Sequence, residues 1–237
     1  MKNFKSLSLA AIMLAAGVAT APAQDKVEVN VAADVVSQYI WRGQDCGDVS
    51  VQPTLGVSYK GLSLTAWGSV GLSDDEDVKE FDLTLAYSIA GFNIGITDYW
   101  FDSPESRYFH YDAHSTSHVF EANIGYDFNY FAIQWYTNFA GNDGVDEDGD
   151  RAYSSYVEIS APFTFGGVDW NAAIGAVPYA TSTYSDASGF AVTSVSLKAS
   201  KDIKITDSFS IPLFASICAN PSTQKAAFVV GFTLKPW

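Results

Sequence analysis

The stretch Val27-Glu28-Val29-Asn30-Val31-Ala32-Ala33-Asp34-Val35-Val36-Ser37-Gln38-Tyr39-Ile40-Trp41-Arg42 decides the fold. Taking every second residue gives Val27, Val29, Val31, Ala33, Val35, Ser37, Tyr39 and Trp41, a set that is apolar but for Ser37 and ends in aromatics. The interleaved set carries Glu28, Asn30, Asp34, Gln38 and Arg42. Strict period two is the signature of a strand with one apolar and one polar face.

The same alternation recurs along the chain. Strands are predicted over 27–41, 49–59, 62–72, 81–89, 92–100, 120–128, 131–139, 153–163, 168–174, 190–201, 209–217 and 228–234. In the tenth, the apolar parity changes between Val192 and Val195, as a bulge requires. The connections alternate as well. Lys60-Gly61, Ala90-Gly91, Asn129-Tyr130, Phe165–Gly167 and Thr206–Ser208 are tight turns, whereas 42–48, 73–79, 102–117, 141–151, 180–189 and 220–225 are longer and polar.

Short turns at one end and long loops at the other mark an outer-membrane barrel, with the short turns and both termini on the periplasmic side. Lipid cannot hydrogen-bond a free strand edge, so the first strand must meet the last. Aromatics at strand ends, among them Tyr39, Trp41, Trp100, Phe120, Phe139 and Trp170, supply the expected interfacial girdles. A secreted β-sandwich also alternates, but with shorter strands and no asymmetry of its connections. The expectation is an all-β, up-and-down, antiparallel transmembrane barrel of about 12 strands. Trp237 falls one residue out of step with Phe228, Val230, Phe232 and Leu234.

Composition agrees. The 237 residues are 48% hydrophobic, 15% aromatic and only 17% charged, well below the roughly one-quarter charged residues of soluble domains. A net charge of −14 argues against nucleic-acid binding, which needs clustered Lys and Arg. Two cysteines make neither a disulfide scaffold nor a zinc ribbon. At the N-terminus, Lys2 and Lys5 precede an apolar run from Leu7 to Val18 and the small residues Ala21-Pro22-Ala23. This reads as a signal peptide over residues 1–23, because the run is too short for a transmembrane helix. Residues 24–237 then form the barrel, exported to a Gram-negative-type outer membrane. The expected partners are outer-membrane lipid and small hydrophilic solutes; the barrel is expected to be monomeric and to need no cofactor.

Ser37-Gln38-Tyr39-Ile40-Trp41-Arg42-Gly43 resembles the S-x-Y-x-(aromatic)-R-G signature of the TorF-type porins, the Gcw_chp family. Gln52-Pro53, Gly61 and Ala66-Trp67-Gly68-Ser69 follow as further landmarks. The likeness covers about the first fifty residues after the leader and departs from the family at Asp45-Cys46, where Ser-Gln is more usual. It implies a porin-like barrel and names neither a substrate nor catalytic residues.

Several residues carry candidate chemistry. Glu28, Asp34, Gln38, Arg42, Asp82, Glu121, Glu158, Asp169 and Lys198 fall on the polar parity and are read as pore-lining. The acidic excess favours cationic or neutral solutes. The alternative is a plugged structural or surface-interaction barrel whose wall groups fill the lumen by pairing with each other. Arg42, at the outer end of strand one, either sets carboxylate affinity at the mouth or pairs with a wall acid such as Asp34.

His110, His114 and His118 share one loop at a spacing that would hold a transition metal on one side of a helical turn. His114 and His118 also flank Ser115, Thr116 and Ser117, which opens a minor reading as a lipid-modifying enzyme. The reading preferred is that the chain is not an enzyme. The run from Asp146 to Asp150 fails the EF-hand pattern and is a solvated acidic loop or a loose divalent bridge to lipid phosphates. Cys46 and Cys218 lie near the tops of strands separated by one neighbour, within reach of a disulfide.

Overall fold

The computed structural model describes residues 26–235 apart from 74–76, 114, 147 and 208. The expected signal peptide, residues 1–23, and Trp237 lie outside the described residues. The strands are β1 (Glu28–Val36), β2 (Tyr39–Trp41), β3 (Gln44–Gly47), β4 (Ser50–Tyr59), β5 (Leu62–Gly71), β6 (Lys79–Ile89) and β7 (Phe92–Asp102). They continue with β8 (His118–Asp127), β9 (Ala132–Gly141), β10 (Ser155–Phe165), β11 (Val168–Val177), β12 (Ala191–Lys204), β13 (Ser210–Asn220) and β14 (Lys225–Leu234).

Twelve of them close into one antiparallel barrel, in the order β1-β14-β13-β12-β11-β10-β9-β8-β7-β6-β5-β4. The remaining two, β2 and β3, form a separate two-stranded sheet. The wall is thus an up-and-down meander, and every wall strand has two neighbours. Closure removes the unpaired edges that lipid would penalise.

The apolar parity faces outward. Val29, Leu55, Leu64, Leu85, Ile94, Ile124, Ile159, Ile174, Ile217 and Phe228 are all exposed, one belt running round the molecule. A soluble protein would bury these side chains, at roughly 1.5–3 kcal/mol each. A bilayer accepts them where they stand.

The tight turns form as expected. Lys60 and Gly61 have φ of 50° and 86°, and Ala90 and Gly91 have 50° and 87°. Two consecutive positive φ values make a type I′ turn, whose twist matches that of a hairpin. The bulge is also present: Gly175 pairs with Ser194 and Ala176 with Val192, leaving Thr193 unmatched on β12.

The first strand differs from expectation. The alternation predicts one strand from Val27 to Trp41, but β1 ends at Val36 and the chain turns into the lumen. Tyr39 and Trp41 are 3% and 9% exposed and belong to an internal aromatic cluster, not to a lipid-facing girdle. Inside, both rings pack against other rings: Tyr39 lies 5.7 Å from Trp67, and Trp41 lies 5.7 Å from both Tyr99 and Tyr184, contacts that aromatic side chains favour.

Candidate functional site

The lumen is built around the β2–β3 hairpin. Its tip is Arg42-Gly43, with φ of 50° and 82°, the same I′ geometry as the turns at the other end of the barrel. Gly43 is required twice over. Its φ is left-handed, and a Cβ there would sit 1.8 Å from the Thr193 carbonyl oxygen at the β12 bulge. The tip is tied to two outer loops: Asn220 Nδ2 donates to the Gly43 carbonyl (3.1 Å) and to Ser185 Oγ (2.8 Å), and the Ser185 amide donates to Gln44 Oε1 (3.0 Å).

Arg42 is the centre of this arrangement. Its guanidinium forms a two-pronged pair with Glu121 on β8, Nη1 to Oε2 and Nη2 to Oε1 (2.9 Å). Nη1 also donates to the Tyr184 hydroxyl (2.7 Å), which donates on to Glu121 Oε2 (2.8 Å). The Tyr99 hydroxyl donates to Glu121 Oε1 (2.9 Å). The guanidinium carbon lies 4.1 Å from the Tyr136 ring centre, 4.6 Å from Trp41, 4.7 Å from Tyr156 and 5.3 Å from Tyr184. Rings accept a cation on their faces, so carboxylate and rings together replace the lost water. Burial works against the charge of Arg42, but Glu121, with Tyr184 and Tyr99 behind it, more than reverses this and holds the guanidinium firmly protonated.

Arg42 is therefore not paired with Asp34, as the sequence suggested, and does not stand at an open mouth. Its partner lies 79 residues away on the opposite wall. Glu121 and Asp82 are on the lumen side as expected, but both are almost wholly buried beside the hairpin. Next to them, Glu80 accepts from the Tyr39 hydroxyl (2.8 Å). Glu80 was not singled out from the sequence. On the β7–β9 side the lumen is filled by polar amides, with Asn123 Nδ2 donating to Asn93 Oδ1 (3.0 Å) and Gln134 buried close by.

Other candidates are scattered. Glu28 is exposed at the turn end of β1. Asp169, near the β10–β11 turn, accepts from Thr164 Oγ1 (2.9 Å). Gln38 donates to Asp45 Oδ2 (3.0 Å).

His118 is not available to the predicted histidine site. His118 is fully buried, with Nδ1 against Asp98 Oδ1 (2.7 Å) and Nε2 against the Tyr108 carbonyl (2.6 Å). Neither ring nitrogen is left for a metal or for a proton taken from a serine. His110 Nε2 meets Ser115 Oγ (2.8 Å) in the exposed part of the loop, and His114 lies outside the described residues. Among the described residues no group of three or more His, Cys, Asp or Glu has metal-holding geometry.

Asp143 is buried and accepts from Asn138 Nδ2 (2.7 Å) and the Ser154 amide (2.9 Å), which makes it a loop fastener. Asp146 caps its own loop through the amides of Asp148 and Asp150. Cys46 and Cys218 are free thiols, not a disulfide. Cys46 Sγ faces the Gln44 carbonyl on the inward hairpin and Cys218 Sγ faces Ser194 on the wall, so the inward fold carries the first thiol away from the second.

The hairpin leans on β6–β10 and leaves a gap along β12–β14 and β1. Two cavities lie in that gap. The inner one, about 200 Å³, is lined by residues that include Asp34, Gln52, Glu158, Asn171 and Lys198. The outer one, about 400 Å³, is lined by residues that include Asp45, Ser185, Asn220, Thr223 and Lys225. Gln38, Ile40, Gly43 and Cys218 line both.

No family model matches the chain, and no curated protein does. Among solved structures it is similar to Salmonella typhi OmpF in complex with daunomycin, at 10% identity and a TM-score of 0.37, over 88% of this chain and 97% of that one. It is similar to an outer membrane channel from Pseudomonas putida F1, at 12% identity and a TM-score of 0.41, over 88% and 96%. CdiB from Acinetobacter baumannii follows at 11% and 0.39, over 89% of this chain and 60% of that one. Likeness of this degree carries no argument about activity.

Proposed function

We propose that this chain is an outer-membrane channel for passive diffusion of small hydrophilic solutes, cationic or neutral, narrowed in its outer half by the inward hairpin. Residues 1–23 would be its export signal in a Gram-negative-type envelope, and the resemblance at 37–43 to the TorF-type porins points the same way. The observation that carries the reading is the pair of cavities on either side of the hairpin tip. Both are bounded by Gln38, Ile40, Gly43 and Cys218, so the two cavities meet at the hairpin tip. Asp34 and Glu158 outnumber Lys198 along the inner stretch, where the remaining base, Arg42, is taken up by Glu121, which favours cations.

A second reading, a plugged barrel that works through its loops, is favoured by the buried Arg42–Glu121 hub. Planar-bilayer recording separates the two. A channel gives steady steps with a cation-selective reversal potential in a salt gradient. In a Cys46→Ser background, a thiol-directed methanethiosulfonate reagent reaching Cys218 should cut the current, and Cys218→Ser should abolish that block. A folded barrel that stays silent under these conditions is a plug.

A further inference from the structure

The inner cavity has a chemistry of its own. Its ionic groups are Asp34, Glu158 and Lys198, with Arg42 in the roof. Asp34 and Lys198 attract each other and offset. Arg42 is the basic group acting on Glu158, but Glu121 already binds it bidentately. Among the described residues Glu158 forms no ion pair, and it accepts a long hydrogen bond of 3.3 Å from the Tyr156 hydroxyl. The cavity is therefore one positive charge short.

Its remaining walls include Trp41, Trp67 and Phe214. Two of these rings already serve cations: Lys198 Nζ lies 4.1 Å from the Phe214 ring centre, and the Arg42 guanidinium lies 4.6 Å from that of Trp41. Aromatic faces beside a carboxylate are the chemistry that holds alkylated ammonium groups, whose spread charge is weakly hydrated. A volume of about 200 Å³ holds roughly seven waters. This admits a cation of a few heavy atoms and is too small for a peptide.

We infer that the inner cavity is a binding station for a small organic ammonium cation, with Glu158 as its counter-ion and Trp41, Trp67 and Phe214 as its aromatic walls. This deepens the channel reading and rests on it for its physiological meaning, but binding is measured without any current.

The probe is tetramethylammonium chloride, titrated calorimetrically at low ionic strength into the purified full barrel in detergent micelles. Sodium acetate and glucose are the comparison solutes, and heat-modifiable gel mobility checks the fold of each variant. Saturable binding of tetramethylammonium is expected, with no matching binding of acetate or glucose. Glu158→Gln should weaken it by about tenfold or more. Lys198→Met, which removes the competing cation, should tighten it. Equal binding by wild type and Glu158→Gln overturns the site, as does acetate binding of similar strength. Should Glu158→Gln not fold, Lys198→Met decides, and an unchanged or weaker affinity overturns the proposal. A barrel that binds the cation but never conducts retains this site and loses the channel. One that conducts but does not bind loses the site alone.

Discussion

Replacing Arg42 by Met tests the hub directly. The side chains of Arg42 and Glu121 are 4% and 2% exposed, so solvent screens their attraction little. Removing one partner of such a pair costs about 3–5 kcal/mol, because the other charge stays buried without a counter-ion. Here the orphan would be Glu121, which keeps the Tyr99 and Tyr184 hydroxyls as donors. That places Arg42→Met near the lower end, about 3 kcal/mol. The loss falls on the docked hairpin and not on the wall, so the ratio of undocked to docked hairpin should rise by about a hundredfold. Glu121→Gln should cost more, since it strands a cation that is never neutral. The double variant Arg42→Met/Glu121→Leu should be milder than Glu121→Gln, because no buried charge remains. The assays are the temperature at which the compact band is lost on semi-native gels and the open fraction in planar bilayers. An Arg42→Met barrel with unchanged transition and unchanged current would refute the reasoning, as would a double variant worse than both singles.

Three further outcomes are expected. Gly43→Ala should lower the same transition sharply, by about 2 kcal/mol or more, since it adds a clash with the Thr193 carbonyl to a left-handed φ. Gly149→Ala, with φ of 84° and nothing within 4 Å, isolates the backbone cost at about 1 kcal/mol. Equal effects would mean that the tip is not wedged against the bulge. His118→Phe keeps a flat ring beside Phe120 but loses both hydrogen bonds, so trypsin should cut the loop after Arg107 faster than in wild type; an unchanged rate would show that the loop is held by something else. The free thiols predict identical gel mobility with and without reductant. Burial, helped by Glu80 and Asp45, pushes the Cys46 thiol up to about 12. At pH 8 roughly one part in ten thousand is therefore thiolate, and alkylation should be slow and accelerate as pH rises. Rapid labelling of Cys46 at pH 8, as for an exposed thiol, would contradict this burial.

The wall could be read from sequence because one physical rule governs every strand: apolar side chains face lipid and their neighbours do not. Parity alone placed Val29, Leu64, Ile94 and Ile217 outside, and a break in parity put a bulge between Val192 and Val195, where the pairing leaves Thr193 unmatched. The same rule hid the hairpin. Tyr39-Ile40-Trp41 alternates as well inside the lumen as it would in the wall, so period two cannot tell the two apart. Two signals were nevertheless present. Arg42-Gly43 has the same residue-glycine form as Lys60-Gly61 and Ala90-Gly91, both of which are hairpin tips. Tyr99, Tyr136 and Tyr156 stand on the polar parity, where a water-filled pore has little use for rings; together they mark an aromatic core. The pairing of Arg42 with Glu121 leaves no local trace, since it is set by how far the tip reaches across the ring. The histidine spacing misled because it assumed a helical turn, whereas His118 opens a strand.

Ser37 stands where the ring ends and its filling begins. Its amide donates to the Val230 carbonyl (2.8 Å), and its hydroxyl accepts from the Val230 amide (2.9 Å). Above that point β14 has no partner in β1, because the chain has already left the wall. The clasp that closes the ring and the hairpin that narrows it are thus consecutive segments of the chain, β1 and β2, joined through Ser37 and Gln38, so a change at Ser37 bears on both.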